Sequence, residues 1–204
     1  AVNVAMDSLT LTLEIEQAEL AGNPASYPAA NKLTLAGSAR WSDPASDPIG
    51  DIDAAKDQVR TTCGVEPNRM VISNKGFRAL KRHPNIMDRF KYTTAESITA
   101  KMLAGIFDLD ELNVGKTTYV ENLDASGAFK EARGNFACMA YVPTQDAALD
   151  QPSFGYTYTL KGHPFVEPPR WEGGERSWVY GVTYERRPVL TGMAAGFLFQ
   201  SITA

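Results

Sequence analysis

Gly115-Lys116-Thr117 is the tripeptide that closes a phosphate-binding loop, where a lysine ammonium and a hydroxyl meet nucleotide phosphates. That loop places another glycine five positions before Gly115, and the position holds Asp110. A carboxylate there repels phosphate, and the segment lies inside a strand pattern, so it reads as exposed strand. His83 precedes Pro84 in a basic stretch with Lys75, Arg78, Lys81, Arg82, Arg89 and Lys91. Such a stretch suits an anion or a nucleic acid. It also suits a helix end whose cations face the negative pole of the dipole. The second reading is adopted, with a subunit contact left open. His163 lies in a Gly162-His163-Pro164 turn with no Cys or His at ligand spacing. The acidic pairs Glu14/Glu16, Asp51/Asp53 and Asp108/Asp110 share a face only on a strand, and helix N-termini favour acids in any case. No glycine-flanked serine marks a nucleophile elbow. Trp171, Trp178 and the tyrosines have faces for stacking on bases, but aromatics alternating along strands usually form core or interface. No catalytic residue, cofactor or metal is assigned, and the chain is read as a non-enzyme.

Composition narrows the classes further. The chain has 204 residues, 44 % hydrophobic and 22 % charged, with a net charge of −4. A basic excess, the usual mark of a nucleic-acid coat, is missing. A chain of this size buries roughly 70 % of its unfolded surface and needs no disulfide to fold. Cys63 and Cys138 are expected as free thiols. No apolar run approaches the ~20 residues of a membrane helix, no basic-then-apolar signal opens the chain, and no repeat recurs.

The elements follow from periodicity and punctuation. Leu9–Glu16 alternates like a strand, while Gln17–Ala21 and the Gly22-Asn23-Pro24 stop read as a helix; the residues alone leave both open. Lys32–Arg40 reads as a strand, and Trp41–Pro48 as a turn-rich boundary. Asp47 as N-cap, Pro48 at the first position, Ile49, Ile52, Ala55, Val59 and Cys63 at helical spacing, and Gly64 as stop define a helix. Arg69–Ser73 is a strand, and Asn74 caps a helix running to Arg82. Thr93 and Glu96 form a capping box for a helix carrying Ile98, Met102 and Ile106. Strands are expected at Leu112–Val120, Phe136–Val142, Phe154–Leu160, Trp178–Tyr184 and Met193–Gln200. Helices early and strands late give an α+β class.

Several stretches, in order, resemble the major capsid proteins of tailed bacteriophages, with their Hong Kong 97-type fold. Leu13–Glu19 with Asn23-Pro24 and Tyr27 is similar to the end of that family's spine helix. Leu33–Gly37 and Trp41-Ser42-Asp43 are similar to the strand and turn that follow it, and Asp47–Ala55 to the next helix. Pro67-Asn68, Met70–Ile72, Leu80, His83-Pro84, Ile86 and Asp88 continue the likeness, and Ala195–Phe199 resembles the closing strand. The resemblance turns the first segment towards helix.

It also implies the rest of the reading. Residues 1–46 and 187–204 would form a peripheral subdomain, with the spine helix and long strands, and 47–186 an axial one with a mixed sheet flanked by helices. The implied function is a structural subunit that assembles, as hexamers and pentamers, into an icosahedral head around double-stranded DNA, in the host cytoplasm and then in the virion. DNA would be touched non-specifically, decoration, scaffolding and portal proteins are further implied partners, and no membrane is involved. Ala1 would lie inside the spine helix, with an arm and an extended loop upstream, so no cross-linking lysine is carried over. The alternatives are an encapsulin-type nanocompartment shell, which shares the fold, and an unrelated soluble enzyme. Trp41, Tyr156, Tyr158, Trp178 and Tyr180 are the expected subunit-facing aromatics.

Overall fold

The computed structural model describes residues 2–91, 97–120, 127–143 and 153–204. The opening segment is a helix, α1 (Val2–Gly22). The Thr10 and Thr12 hydroxyls donate to the carbonyls of Met6 and Ser8, at 2.9 and 3.0 Å, so these alternating threonines are satisfied within the helix. Only Ala18 of α1 is buried. Polar ties hold the rest: Thr117 donates to Glu14 at 2.8 Å, and the Gln17 amide to Thr157 at 3.0 Å.

Strand β1 (Lys32–Thr34) is shorter than expected, because the chain bends into a single 3-10 turn at Gly37, whose φ of 55° is left-handed. Helix α2 (Pro48–Cys63) has the expected bounds, and Gly64, at φ 75°, closes it by donating to the Arg60 carbonyl at 2.9 Å. Asp47 holds the N-cap position without a capping bond from its side chain. β2 (Arg69–Ser73) leads into α3 (Asn74–Arg82), and the cap is Ser73 rather than Asn74: its Oγ accepts the Gly76 N–H at 3.2 Å. Pro84 ends that helix and also starts α4 (Pro84–Phe90), which was not expected; a proline at the first helical position serves both purposes. The Thr93/Glu96 capping box lies outside the described residues. Helix α5 (Ala100–Ile106) is capped by Thr99, which accepts the Met102 N–H at 3.3 Å.

Strands make up the remainder. They are β3 (Glu111–Gly115), β4 (Thr118–Val120), β5 (Phe129–Glu131), β6 (Phe136–Ala140), β7 (Gly155–Thr159), β8 (Phe165–Val166), β9 (Arg170–Glu172), β10 (Ser177–Val179), β11 (Val182–Thr183), β12 (Arg186–Leu190) and β13 (Gly196–Gln200). The expected strand Leu112–Val120 is split at Lys116-Thr117, and Trp178–Tyr184 is split at Tyr180-Gly181. Gly115 therefore ends β3, and Lys116-Thr117 link it to β4 rather than continuing the expected strand.

Five strands form one mixed sheet in the order β1-β13-β6-β2-β3, with β6 antiparallel to its neighbours and the β1/β13 and β2/β3 pairs parallel. The class is α+β. Period two sorts the side chains: Met70, Ile72, Leu112, Ala137, Met139, Phe197 and Phe199 share a core with Ile52 and Val59 of α2, Leu80, Ile86 and Leu103. Tyr27, Cys138, Phe154 and Leu198 form a second cluster on the opposite side, with Ala21 of α1 packed against it. The larger core joins Leu35 and Trp41 to residues of the middle of the chain and to Ile202.

Two expectations arise in the smaller cluster. A Cβ at Gly196 would lie 2.4 and 2.5 Å from two Phe154 ring carbons and 3.1 Å from Tyr27, whose ring stacks on Phe154 at 5.3 Å. Neither buried ring can swing away, so Gly196→Ala should cost about 1–3 kcal/mol in a urea titration. Cys138 is buried with its Sγ 2.9 Å from the Tyr27 hydroxyl. Burial pushes its thiol up to about 11, the Tyr27 hydrogen bond opposing, and burial also pushes the Tyr27 phenol up. Half-buried Cys63 should therefore react with iodoacetamide at pH ~8 well before Cys138, as read by peptide mass spectrometry.

Candidate subunit interface

Residues 155–190 form one nested hairpin. β7 pairs with β12 from Gly155↔Leu190 to Thr159↔Arg186; β8 then pairs with β11, and β9 with β10. The tip is Gly173-Gly174-Glu175-Arg176, with Arg176 left-handed at φ 50°. Between the ladders, Leu160 donates to the Glu185 carbonyl at 3.0 Å and Glu167 to the Gly181 carbonyl at 2.9 Å. His163 pins the same junction: its Nδ1 accepts the Glu185 N–H at 3.1 Å. At the root, Arg186 donates to the Leu9 carbonyl of α1 with its guanidinium 4.4 Å from the Tyr184 ring, and Thr191 donates to the Phe154 carbonyl at 3.1 Å.

The outer part of this arm carries much uncovered apolar surface. Trp171 and Trp178 stand directly opposite one another, T-shaped at 5.6 Å, and remain 55 % and 58 % exposed. Leu160, Phe165, Val166, Tyr158 and Tyr180 are also exposed. A two-stranded ribbon alone is marginal in water, and apolar surface gathered on one element marks a contact site. Tryptophan and tyrosine supply a large contact area with little rotamer entropy, which suits association.

Of the five expected aromatics, Tyr158, Trp178 and Tyr180 are exposed on the arm. Tyr156 is half-buried at its root, 6.4 Å from Tyr158. Trp41 needs correction. It is fully buried, packs on Phe199 at 5.0 Å and donates from Nε1 to Asp51 at 2.9 Å, so it is a core residue. Trp171, Phe165, Val166 and Leu160, exposed on the same arm, lie outside the expected set. The signal for Trp171 is its symmetry with Trp178 about the four-residue Gly173–Arg176 turn, which makes the two cross-strand partners.

The motifs weighed for chemistry are placed separately. His83 is buried at the α3–α4 joint, its Nε2 3.1 Å from both the Ser46 hydroxyl and the Asp43 carbonyl. Asp51 is used by Trp41 and Glu14 by Thr117, while Asp108 lies against Lys56 at 3.4 Å. Among the described residues, no group of three or more His, Cys, Asp or Glu is placed to hold a metal, and no helix is long and apolar enough to cross a membrane.

Comparison with known proteins gives consistent matches. A family model described as phage major capsid protein E matches residues 26–178. The chain is 35 % identical over 206 residues to the major capsid protein of Burkholderia phage BcepMu, covering 99 % of this chain and 66 % of that protein. It is 34 % identical over 110 residues to the major capsid protein of Pseudomonas phage JBD67, covering 53 % of this chain and 34 % of that protein. The crystal structure of a phage-related protein from Bordetella bronchiseptica superposes with a TM-score of 0.92 at 40 % identity, over 98 % of this chain and 66 % of that one. A virus-like particle from Pyrococcus furiosus is similar at a TM-score of 0.52 and 13 % identity, over 92 % and 63 %, which bears on the fold alone. The chain thus spans just under two thirds of the length of the first curated relative and of the first structural one.

Proposed function

Because the chain belongs to the phage major capsid protein E family, we propose that it is a structural subunit of a bacteriophage head. Its family is a structural one rather than an enzyme family. Identical copies associate as hexamers and pentamers and close into an icosahedral shell around double-stranded DNA, assembled in the host cytoplasm and carried in the virion. The observation that supports this most is the chain-long likeness to a phage major capsid protein. The exposed aromatic arm supplies surface for the work: each copy buries the same patch on a neighbour, and repeated contacts hold a subunit that no single contact would hold tightly. Decoration, scaffolding and portal proteins are further partners in this reading. DNA contact is non-specific and weak, in keeping with a net charge of −4.

In this proposal residues 1–46 and 187–204 are the peripheral part of a Hong Kong 97-type subunit, and 47–186 the axial part. The arm's β7/β12 ladder runs across that division. The test is to express the longest native reading frame containing this chain and to examine it by light scattering and electron microscopy. Closed particles holding DNA in the native source are expected. Particles holding an enzyme instead would give the nanocompartment reading, and a permanent monomer would remove both.

A further inference from the structure

The end of the sheet where β1, β2 and β13 terminate carries a groove of about 380 Å³. Lys75, Arg78 and Arg82 line it, at spacings of three and four along α3, and so on one face of that helix. Trp41, Thr203 and Ala204 also line it, and no Asp or Glu side chain does. The three cations make no ion pair with an acidic side chain among the described residues; Asp43, whose carboxylate accepts the Ala45 N–H at 2.9 Å and keeps its charge, is not one of the lining residues. Three unpaired like charges on one helical face repel one another, a repulsion that negative charge in the groove would relieve.

The same chain offers that charge at the opposite end of the sheet. β2 and β3 run parallel, and the residues just before them, Glu66, Asp108 and Asp110, sit where these strands begin. Lys56 draws the first two together, with contacts of 3.0 Å to Glu66 and 3.4 Å to Asp108. It neutralises only one charge, and Asp108 keeps a side chain that is 96 % exposed. Asp110 is held by the Asn68 amide at 3.1 Å, without a cation. One end of each subunit is thus basic and concave, the other acidic and exposed.

We propose that the Lys75/Arg78/Arg82 groove receives the Glu66/Asp108/Asp110 edge of a second copy of this chain. Two different patches joined in this way make a head-to-tail contact, the kind that generates rings when the rotation closes. The proposal deepens the shell reading and rests on it, since it names one contact through which copies join. A polynucleotide is the competing occupant. The acidic edge on the same molecule favours the protein partner, as does the net charge of −4.

The test is a charge exchange in the full-length protein. One variant carries Arg78→Glu and Arg82→Glu; the other carries Asp108→Lys and Asp110→Lys. Each alone sets like charge against like charge and should associate roughly tenfold or more weakly in analytical ultracentrifugation. An equimolar mixture should recover association, because each reversed patch then meets its complement in the other variant. Wild-type association should weaken with added salt. Circular dichroism melts matching wild type would show that both variants fold. If both self-associate like wild type, or the mixture stays dissociated, the groove proposal fails while the shell reading stands. A wild-type protein that never associates removes both. Loss of binding to a fluorescent DNA duplex in the arginine variant, with self-association unchanged, assigns the groove to nucleic acid and overturns the proposal.

Discussion

Trp41→Ala should destabilise the chain by about 3–5 kcal/mol, the range for removing a large aromatic from a core. The residue is fully buried, in one cluster with Leu35, Ile52, Phe199 and Ile202. Its ring lies 5.0 Å from Phe199 at a tilt of 52°, a geometry that adds to simple area burial. Its backbone N–H donates to the Ile202 carbonyl at 2.9 Å, so the ring sits where the chain that follows β1 meets the chain that follows β13. Removing it empties the joint between the two segments and α2. Total stability of a domain this size is about 5–15 kcal/mol, so the variant should lose a large share of it, seen as a lower urea midpoint with an unchanged slope.

Trp41→Phe separates packing from polarity and brings in pH. Burial holds the Asp51 carboxyl above the ordinary carboxylate value; the Trp41 Nε1 bond works against that rise, and the Asp47 charge adds to it. A raised carboxyl binds its proton more tightly in the folded state than in the unfolded one. Its contribution to stability is present in full below the unfolded value, about 3.9, and is lost as pH rises through the folded value. Phenylalanine removes the donor that favoured the carboxylate. The Trp41→Phe variant should therefore lose more stability than wild type between pH ~4 and 7. A denaturation series over that range checks it, and parallel curves would mean that the hydrogen bond carries no weight.

The legible elements were those with their own punctuation. Helix α2 carries Pro48 inside its start and Gly64 past its end, and both its bounds were readable. Helix α1 was not, because Leu9, Leu11, Leu13 and Ile15 alternate as in a strand; contact with the second side of the sheet decides its form. Continuous strand patterns, as at Leu112–Val120, hid breaks imposed by different partners: β3 joins the sheet through β2, while β4 pairs with β5. The aromatics show the same limit. Trp41 and Trp178 look equally suited to an interface in sequence, yet one floors a joint between segments and the other stands on a ribbon. Local pattern fixes the face of a strand, not whether another layer covers it.

Replacing Trp171 and Trp178 together by serine should abolish shell formation while leaving the subunit folded. Within one subunit the pair touches little beyond itself, and each ring is more than half exposed. A cross-strand aromatic pair is worth about 0.5–1.5 kcal/mol, and it is felt only at the tip of the arm. The root of the arm keeps its five-residue β7/β12 ladder and its ties to α1. The melting temperature should therefore move little. Association has a different scale: a tryptophan buried at the centre of a contact commonly costs 2 kcal/mol or more on truncation. A closed shell repeats the same contact in every subunit, so the losses accumulate across the particle instead of stopping at one interface. Electron microscopy should show no particles under conditions in which wild type forms them, and ultracentrifugation should show monomers with native circular dichroism. Normal particles from the double variant would place the arm outside the contacts that build the shell. A collapsed melting temperature would instead mean that the rings support the subunit itself, which their exposure argues against.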